Sequence, residues 1–305
     1  MKVAAIAGAA AVVLIGILVW TYSDSLDPHD PEAERRTFKL LPGFEVNLFA
    51  SEPMIGKPVH MTWDSQGRLW VACSQVYPQV TPGEEPNDKI IVLEDSNDDG
   101  RADKSTVFAD GLLVPTGLEL GDGGVYVANA PDLLFLKDTD GDGKADLRRV
   151  VLSGFGTEDN HHAISAWRWG PGGWLYFQEG TFLHAQVETP HGLVRMENGG
   201  VFQFRARSME LNVFADYRAS NPWGHMFDRW GQSILLDNPQ MDRDQRLLHR
   251  RLFRRRIEIY RRPQRSSFFC LFQLMCLIAR FRSPMSTAGF IERRACLPNW
   301  PIFTA

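Results

Sequence analysis

The sequence predicts an all-β fold, a partial β-propeller of about three complete four-stranded blades and part of a fourth, preceded by an N-terminal transmembrane helix. Three observations lead there: a strand–turn–strand unit that recurs four times, two further strands after each of the first three copies, and matching Asp/Gly-rich loops in the first two. The unit occupies residues 59–72, 116–128, 164–177 and 223–236. Each copy joins two apolar runs through Gly and Asp, residues that accept the backbone angles of a tight hairpin. Third strands are expected at 89–93, 133–136 and 200–204, and fourth strands at 106–110, 149–152 and 211–215. Four strands in roughly fifty residues is the period of a propeller blade, whose faces are covered by its neighbours. A fourth blade begins near Ser220. A β-sandwich is the alternative, but it does not require the same punctuation in every unit.

This organisation divides the 305 residues into an anchor or signal peptide (1–20), a linker (21–36), the partial propeller (37–238) and a basic tail (239–305). Charge follows the same division. Up to Gln240 there are 19 Lys and Arg against 33 Asp and Glu, whereas the remainder holds 14 Arg, no Lys and 4 acids. The acidic body argues against nucleic acid as a partner.

Lys2 precedes an apolar run from Val3 to Trp20 that, at about 1.5 Å per residue, nearly spans a hydrocarbon core of roughly 30 Å. The basic residue before the run and the acids after it favour export of the body, which would lie on the periplasmic or extracellular side of a cell membrane. A cleaved signal peptide is the alternative and exports the body equally. The tail is crowded with Arg between Leu247 and Arg265, and residues 267–281 show neither strand alternation nor a capped helix. It reads as irregular, the product of a shifted reading frame or a misplaced gene end. A basic membrane- or partner-binding segment is the other reading.

Two loops between third and fourth strands carry the strongest chemical pattern. Asp95, Asn97, Asp99 and Asp103 fall at positions 1, 3, 5 and 9 of the first, with Gly100 at position 6 and the Arg101 carbonyl at 7. Asp138, Asp140, Asp142, Asp146, Gly143 and Lys144 repeat this in the second. Oxygen donors at this spacing converge on Ca²⁺, a hard cation that takes six to eight oxygens. Position 12 holds Thr106 or Arg149 rather than Glu, and no helices flank the loops, so they are not EF-hands. The expected role is structural. A solvated Asp/Gly turn is the bland alternative.

The densest polar cluster is Glu158-Asp159-Asn160-His161-His162, just before the third hairpin, with His60 and His225 in the corresponding segments of the first and fourth. Entry segments of this kind approach one end of a propeller axis. Imidazoles there serve as general bases near neutral pH, or as ligands of a transition metal beside Glu158 or Asp159. The alternative is that they cap strands or fill the channel mouth. The Trp residues 63, 70, 167, 169, 174, 223 and 230 read as interblade core rather than as a sugar platform. His184 and His191 fall in a blade insertion, with no role assigned. The four Cys make no C-x-x-C, which excludes a zinc ribbon and a haem-attachment site in this chain.

Residues 38–238 resemble the membrane-bound dehydrogenase propellers of Planctomycetes and related bacteria. The resemblance is carried by residues 41–46 (LPGFEV), 91–95 (IVLED), 107–112 (VFADGL), 157–162 (TEDNHH), 169–176 (WGPGGWLY) and 221–224 (NPWG). That family is similar in its propeller to soluble quinoprotein sugar dehydrogenases, and its members are commonly followed by helical repeats and a c-type cytochrome module. The resemblance implies oxidation of a sugar or alcohol, hydride transfer to pyrroloquinoline quinone, electron transfer to a cytochrome c acceptor, and His161 or His162 as the base. Arg168 and Arg229 are the basic residues considered for an anionic quinone. This chain departs from the pattern in having no later blades, helical repeats or C-x-x-C-H. Two further readings stand beside the enzyme: a non-catalytic propeller that binds carbohydrate or protein, and an inactive truncated product.

Overall fold

The structure is a computed structural model that describes residues 30–41, 43–218, 221–237, 257–260 and 276–281. The apolar segment expected to anchor the chain lies outside these residues. Among the described residues, no helix is long and apolar enough to cross a membrane.

The chain forms two compact units. The smaller contains helix α1 (Pro31–Thr37), strand β1 (Phe44–Ala50), residues 97–102 and strand β19 (Cys276–Phe281). The short helix falls in the expected linker and is capped locally: Asp30 accepts from Glu32 N at 2.9 Å, Pro31 opens the first turn, and Arg35 pairs with Glu32 at 2.7 Å. Strands β1 and β19 pair antiparallel.

The larger unit carries the blades. Sheet one orders β2 (Pro58–Trp63), β3 (Leu69–Cys73), β4 (Asp88–Glu94) and β5 (Lys104–Leu112) as neighbours. Sheet two does the same with β6 (Gly117–Gly121), β7 (Gly124–Asn129), β8 (Asp132–Lys137) and β9 (Leu147–Ser153). Sheet three orders β10 (Ser165–Trp169), β11 (Leu175–Glu179), β14 (Gly200–Arg205) and β15 (Glu210–Asp216). The hairpin of β12 (His184–Thr189) and β13 (Gly192–Glu197) is the insertion between its second and third strands. The fourth sheet holds β16 (Pro222–Phe227), β17 (Ser233–Asp237) and β18 (Ile257–Tyr260), the last pair parallel.

The expected strands all form, and every pair within the first three sheets is antiparallel. Within the expected irregular tail, the described residues 257–260 and 276–281 form strands β18 and β19. In β18 the alternation Ile-Glu-Ile-Tyr is itself a strand signal, overshadowed by the surrounding Arg.

Burial explains why strand chemistry changes across a blade. All five residues of β3 and of β11 are buried, since a second strand is covered on both faces. The outermost β9 is exposed at five of its seven positions and can carry Arg148 and Arg149. The apolar clusters lie between sheets. Trp70, Ile90 and Phe108 of the first meet Leu118, Val125 and Leu134 of the second. Tyr126 and Phe135 of the second meet Trp167, Phe177 and Phe204 of the third. Tyr176 and Val201 of the third meet Leu235 of the fourth. First strands of successive sheets also touch: β2 with β6, β6 with β10 and β10 with β16. Their free edges are bridged by neighbours' side chains, with Trp169 Nε1 donating to Leu120 O at 2.6 Å, Thr116 Oγ1 to Ile164 O at 2.9 Å and Gln178 Nε2 to Gly224 O at 3.1 Å. First strands side by side, with the remaining strands outward and interblade apolar faces, make a propeller-like architecture.

Not every Trp is core. Trp70 and Trp167 are buried, but Trp223 and Trp230 are 52% and 76% exposed, and Arg229 stacks 4.0 Å above the Trp230 ring. Trp223 lies on β16 and Trp230 in the turn that follows it, in the last blade among the described residues.

Candidate active site

The segments that enter the first strands lie at the same end of the sheets as the ends of the second strands. One arrangement recurs there. The last residue of a second strand accepts a backbone N–H from its own blade's entry segment: Asn129 from Leu113 at 2.9 Å, Glu179 from Gly156 at 3.0 Å, and Asp237 from Asn221 at 2.8 Å. In the first blade Cys73 holds that place and takes a backbone hydrogen bond from Gly56, while Asp88 beside it takes the Ser74 hydroxyl at 2.6 Å and, from the second blade's entry segment, Val114 N at 2.8 Å. Cys73 is a buried free thiol whose pKa is pushed up to about 11 by desolvation, so it is chemically quiet.

The third blade's entry segment carries the His pair on a short 3₁₀ turn, Asn160–His162, capped by Asp159 accepting from His161 N at 3.0 Å. The turn sends the two rings to different environments. His161 has a half-exposed side chain, 3.1 Å from Asp159 Oδ1, with its ring edge-on to Tyr77 at 5.5 Å. His162 has only 13% of its side chain exposed. Its Nδ1 is buried without a hydrogen-bond partner, and its Nε2 stands 3.8 Å from Asp159 Oδ2. Desolvation lowers the His162 pKa first of all, against the opposing pull of Asp159 and Asp237, which favours the neutral ring. The first blade's long loop closes on this turn, with Asn160 Nδ2 donating to Pro78 O at 3.0 Å. Burial, then Asp159, raises the Tyr77 hydroxyl.

Four participants carried no signal in the sequence reading: Glu179, Tyr77, Asp237 and His184. Glu179 is 1% exposed, and burial pushes its carboxyl up to about 8. A visible hint was Gln178-Glu179-Gly180, a polar stop to an apolar strand. His184 pairs with Glu158 at 3.0 Å, which removes Glu158 from the His161–Asp159 pair. Among the described residues, no group of three metal-ligating atoms within 4.8 Å of one another includes Glu158 or Asp159.

The other entry histidines are structural. His60 Nδ1 accepts from Leu118 N of the next blade at 3.4 Å, and desolvation, helped by Arg168, lowers its pKa to about 4. His225 is 3% exposed, hydrogen-bonds Ser233 Oγ through Nε2 at 2.7 Å and packs on Tyr176 and Phe227. Desolvation, then Arg168, takes it to about 4 as well.

These shifts place Arg168 among three first-strand groups, His60, Glu119 and His225. Glu119 is pushed up to about 7 by burial, against the pull of Arg168. Arg168 is exposed, and its Nε donates to His225 O at 3.4 Å. Among the described residues no carboxylate forms an ion pair with it, so its guanidinium keeps donors for an anion. Arg229 instead stacks on Trp230.

Of the ten residues expected to bind calcium, the structure brings together Asp138, Asp140 and Asp142, whose carboxylate oxygens lie within 4.8 Å of one another. The turn hydrogen-bonds these same carboxylates: Asp138 accepts from Gly141 N and Gly143 N at 2.6 and 2.9 Å, and Asp142 accepts from Lys144 N at 2.8 Å. Backbone donors lower the Asp138 pKa accordingly. Asp146 faces Thr139, accepting from its N at 2.9 Å and its hydroxyl at 2.5 Å. Asp103 is engaged in the same way by Ser96, at 3.2 and 2.6 Å. In the smaller unit, Asn97 accepts from Asp99 N at 3.0 Å and Asp99 from Arg101 N at 2.8 Å. Asp95 belongs to the larger unit.

The chain is similar over part of its length to several solved structures. The PQQ domain of pyranose dehydrogenase from Coprinopsis cinerea is 14% identical, with 64% of this chain and 46% of that one covered and a TM-score of 0.43. A Thermus thermophilus protein described as an oxidoreductase (glucose dehydrogenase) is 16% identical over 63% of this chain and 60% of that one, with a TM-score of 0.41. Virginiamycin B lyase from Staphylococcus aureus is 16% identical over 64% of this chain and 68% of that one, with a TM-score of 0.36. The chain thus spans less than two thirds of the first two. No curated protein matches it. The family described as a domain of unknown function, DUF7133, matches residues 30–280, and the chain belongs to that family.

Proposed function

We propose that this chain is an exported, membrane-anchored, dehydrogenase-like propeller that oxidises a hydroxyl of a sugar or alcohol, with His162 as the general base. The observation that carries the reading is the placement of His162: one ring nitrogen is buried and the other lies 3.8 Å from the Asp159 carboxylate. A proton taken from a substrate hydroxyl on Nε2 creates an imidazolium 3.8 Å from Asp159 Oδ2, which stabilises it as it forms. Arg168 would hold an anionic group of pyrroloquinoline quinone. When bound, that cofactor supplies the hydride acceptor. Electrons would then pass to a c-type cytochrome. The Asp138 loop would bind Ca²⁺ in a structural role.

Dye reduction by the full chain, supplied with the quinone and a panel of neutral sugars and alcohols, tests this reading. Quinone-dependent turnover supports it. No turnover across the panel with quinone bound contradicts it. The exposed Trp223 and Trp230 favour a second reading, a non-catalytic carbohydrate-binding propeller. Sugar binding that survives His162→Ala and disappears in Trp230→Ala would select it.

A further inference from the structure

The His-bearing segment is held at two points by consecutive residues at the end of β11. Glu179 Oε1 accepts from Gly156 N at 3.0 Å, near the start of the segment. Gly180 N donates to His162 O at 2.8 Å, at its end. A Cβ on Gly180 would lie 2.3 Å from Nδ1 of His162, so the ring rests against this backbone. In the second blade the equivalent acceptor is Asn129 and the next residue is Ala130. Among the described blades, the third alone combines a fully buried carboxyl group with a glycine that leaves room for an imidazole.

We infer that Glu179 is a positioning residue of the mouth: with Gly180 it fixes residues 156–162 so that His162 turns Nδ1 inward and presents Nε2 outward. The inference rests on the reading of His162 as the base, but the orientation of the ring can be followed without turnover. Burial keeps the Glu179 carboxyl protonated at neutral pH, with a pKa of about 8, so the contact to Gly156 is made by an uncharged acceptor. Gln preserves such an acceptor and Ala removes it.

The test is titration of the His162 ring by NMR in the full chain carrying ¹³C-labelled His, with the resonance identified by its loss in His162→Gln. Glu179→Gln should titrate within about 0.2 pH unit of wild type. Glu179→Ala should move the His162 pKa upward by roughly half a unit or more as water reaches Nδ1. Gly180→Ala should displace the ring and move the same resonance with Glu179 intact, and it decides the matter if Glu179→Ala does not fold. Folded Glu179→Ala and Gly180→Ala proteins that both titrate like wild type would overturn the assignment, as would a Glu179→Gln shift as large as that of Glu179→Ala. Absence of dehydrogenase turnover in the wild type would defeat the proposed reaction and leave this titration result standing.

Discussion

Trp167 on β10 packs over Gly117 on β6 so closely that a Cβ at Gly117 would lie 2.0 Å from the indole Nε1. Gly121, further along the same strand, makes the same room for Trp169. Two glycines on one first strand thus receive two tryptophans from the next, which sets the spacing between the second and third blades. Gly117→Ala is expected to force the indole out of place and destabilise the protein by about 1–3 kcal/mol, since overpacking displaces neighbours that cannot give. Thermal melting checks this; an unchanged melting temperature would mean that the interblade distance is not fixed by this contact.

Asp159→Asn keeps an oxygen to cap the 3₁₀ turn and removes a negative charge that raises the His162 pKa. The ring should therefore lose its proton at still lower pH. The acid limb of the rate profile shifts down, and the rate at neutral pH falls about tenfold for want of the counter-charge to the imidazolium. A pH–rate profile that keeps the wild-type acid limb contradicts the pairing.

Glu179 gives a stability prediction whose sign follows from its raised pKa. Above the ordinary value of 4.5 the unfolded chain releases this proton, while the folded protein keeps it up to about 8. The contribution of Glu179 is therefore fully present below 4.5 and is lost as pH rises toward 8, at about 1.4 kcal/mol per pH unit for one group. Glu179→Gln should remove that slope, so the difference between variant and wild type widens in the variant's favour from pH 5 to pH 8. Parallel curves for the two proteins would show that Glu179 ionises normally in the fold.

If the Asp138, Asp140 and Asp142 carboxylates bind Ca²⁺, adding the ion should raise the melting temperature of the wild type by several degrees and that of Asp142→Asn much less. The backbone hydrogen bonds already made to these carboxylates supply the other possible result. A melting temperature indifferent to Ca²⁺ and chelator would mark the loop as a self-capped turn.

Much of the fold was legible because blade chemistry is local. Gly/Asp turns, buried second strands and exposed fourth strands repeat with the sequence, and β2 to β11 and β14 to β17 lie where the pattern puts them. The pattern was silent on α1, because seven residues held by one Asp cap and one ion pair leave no apolar period to read. At the site, adjacency in sequence singled out His161 and His162 together but could not separate them; a single 3₁₀ turn does that, exposing one ring and burying the other. Glu179 escaped notice because a carboxylate at the end of a strand ordinarily means solvent, whereas here it is buried and bonded to Gly156 N of the entry segment. The Trp residues were read alike, although burial depends on whether a further blade covers them, which composition does not encode.

The central claim is that His162, and not its neighbour, is the reactive group of the mouth. Quinone-dependent dye reduction by His162→Ala and His161→Ala, each confirmed as folded, tests it most directly. The account predicts that His162→Ala loses turnover by at least about a hundredfold while His161→Ala stays within about threefold of wild type. Equal losses in the two variants, or full activity in His162→Ala, would contradict it.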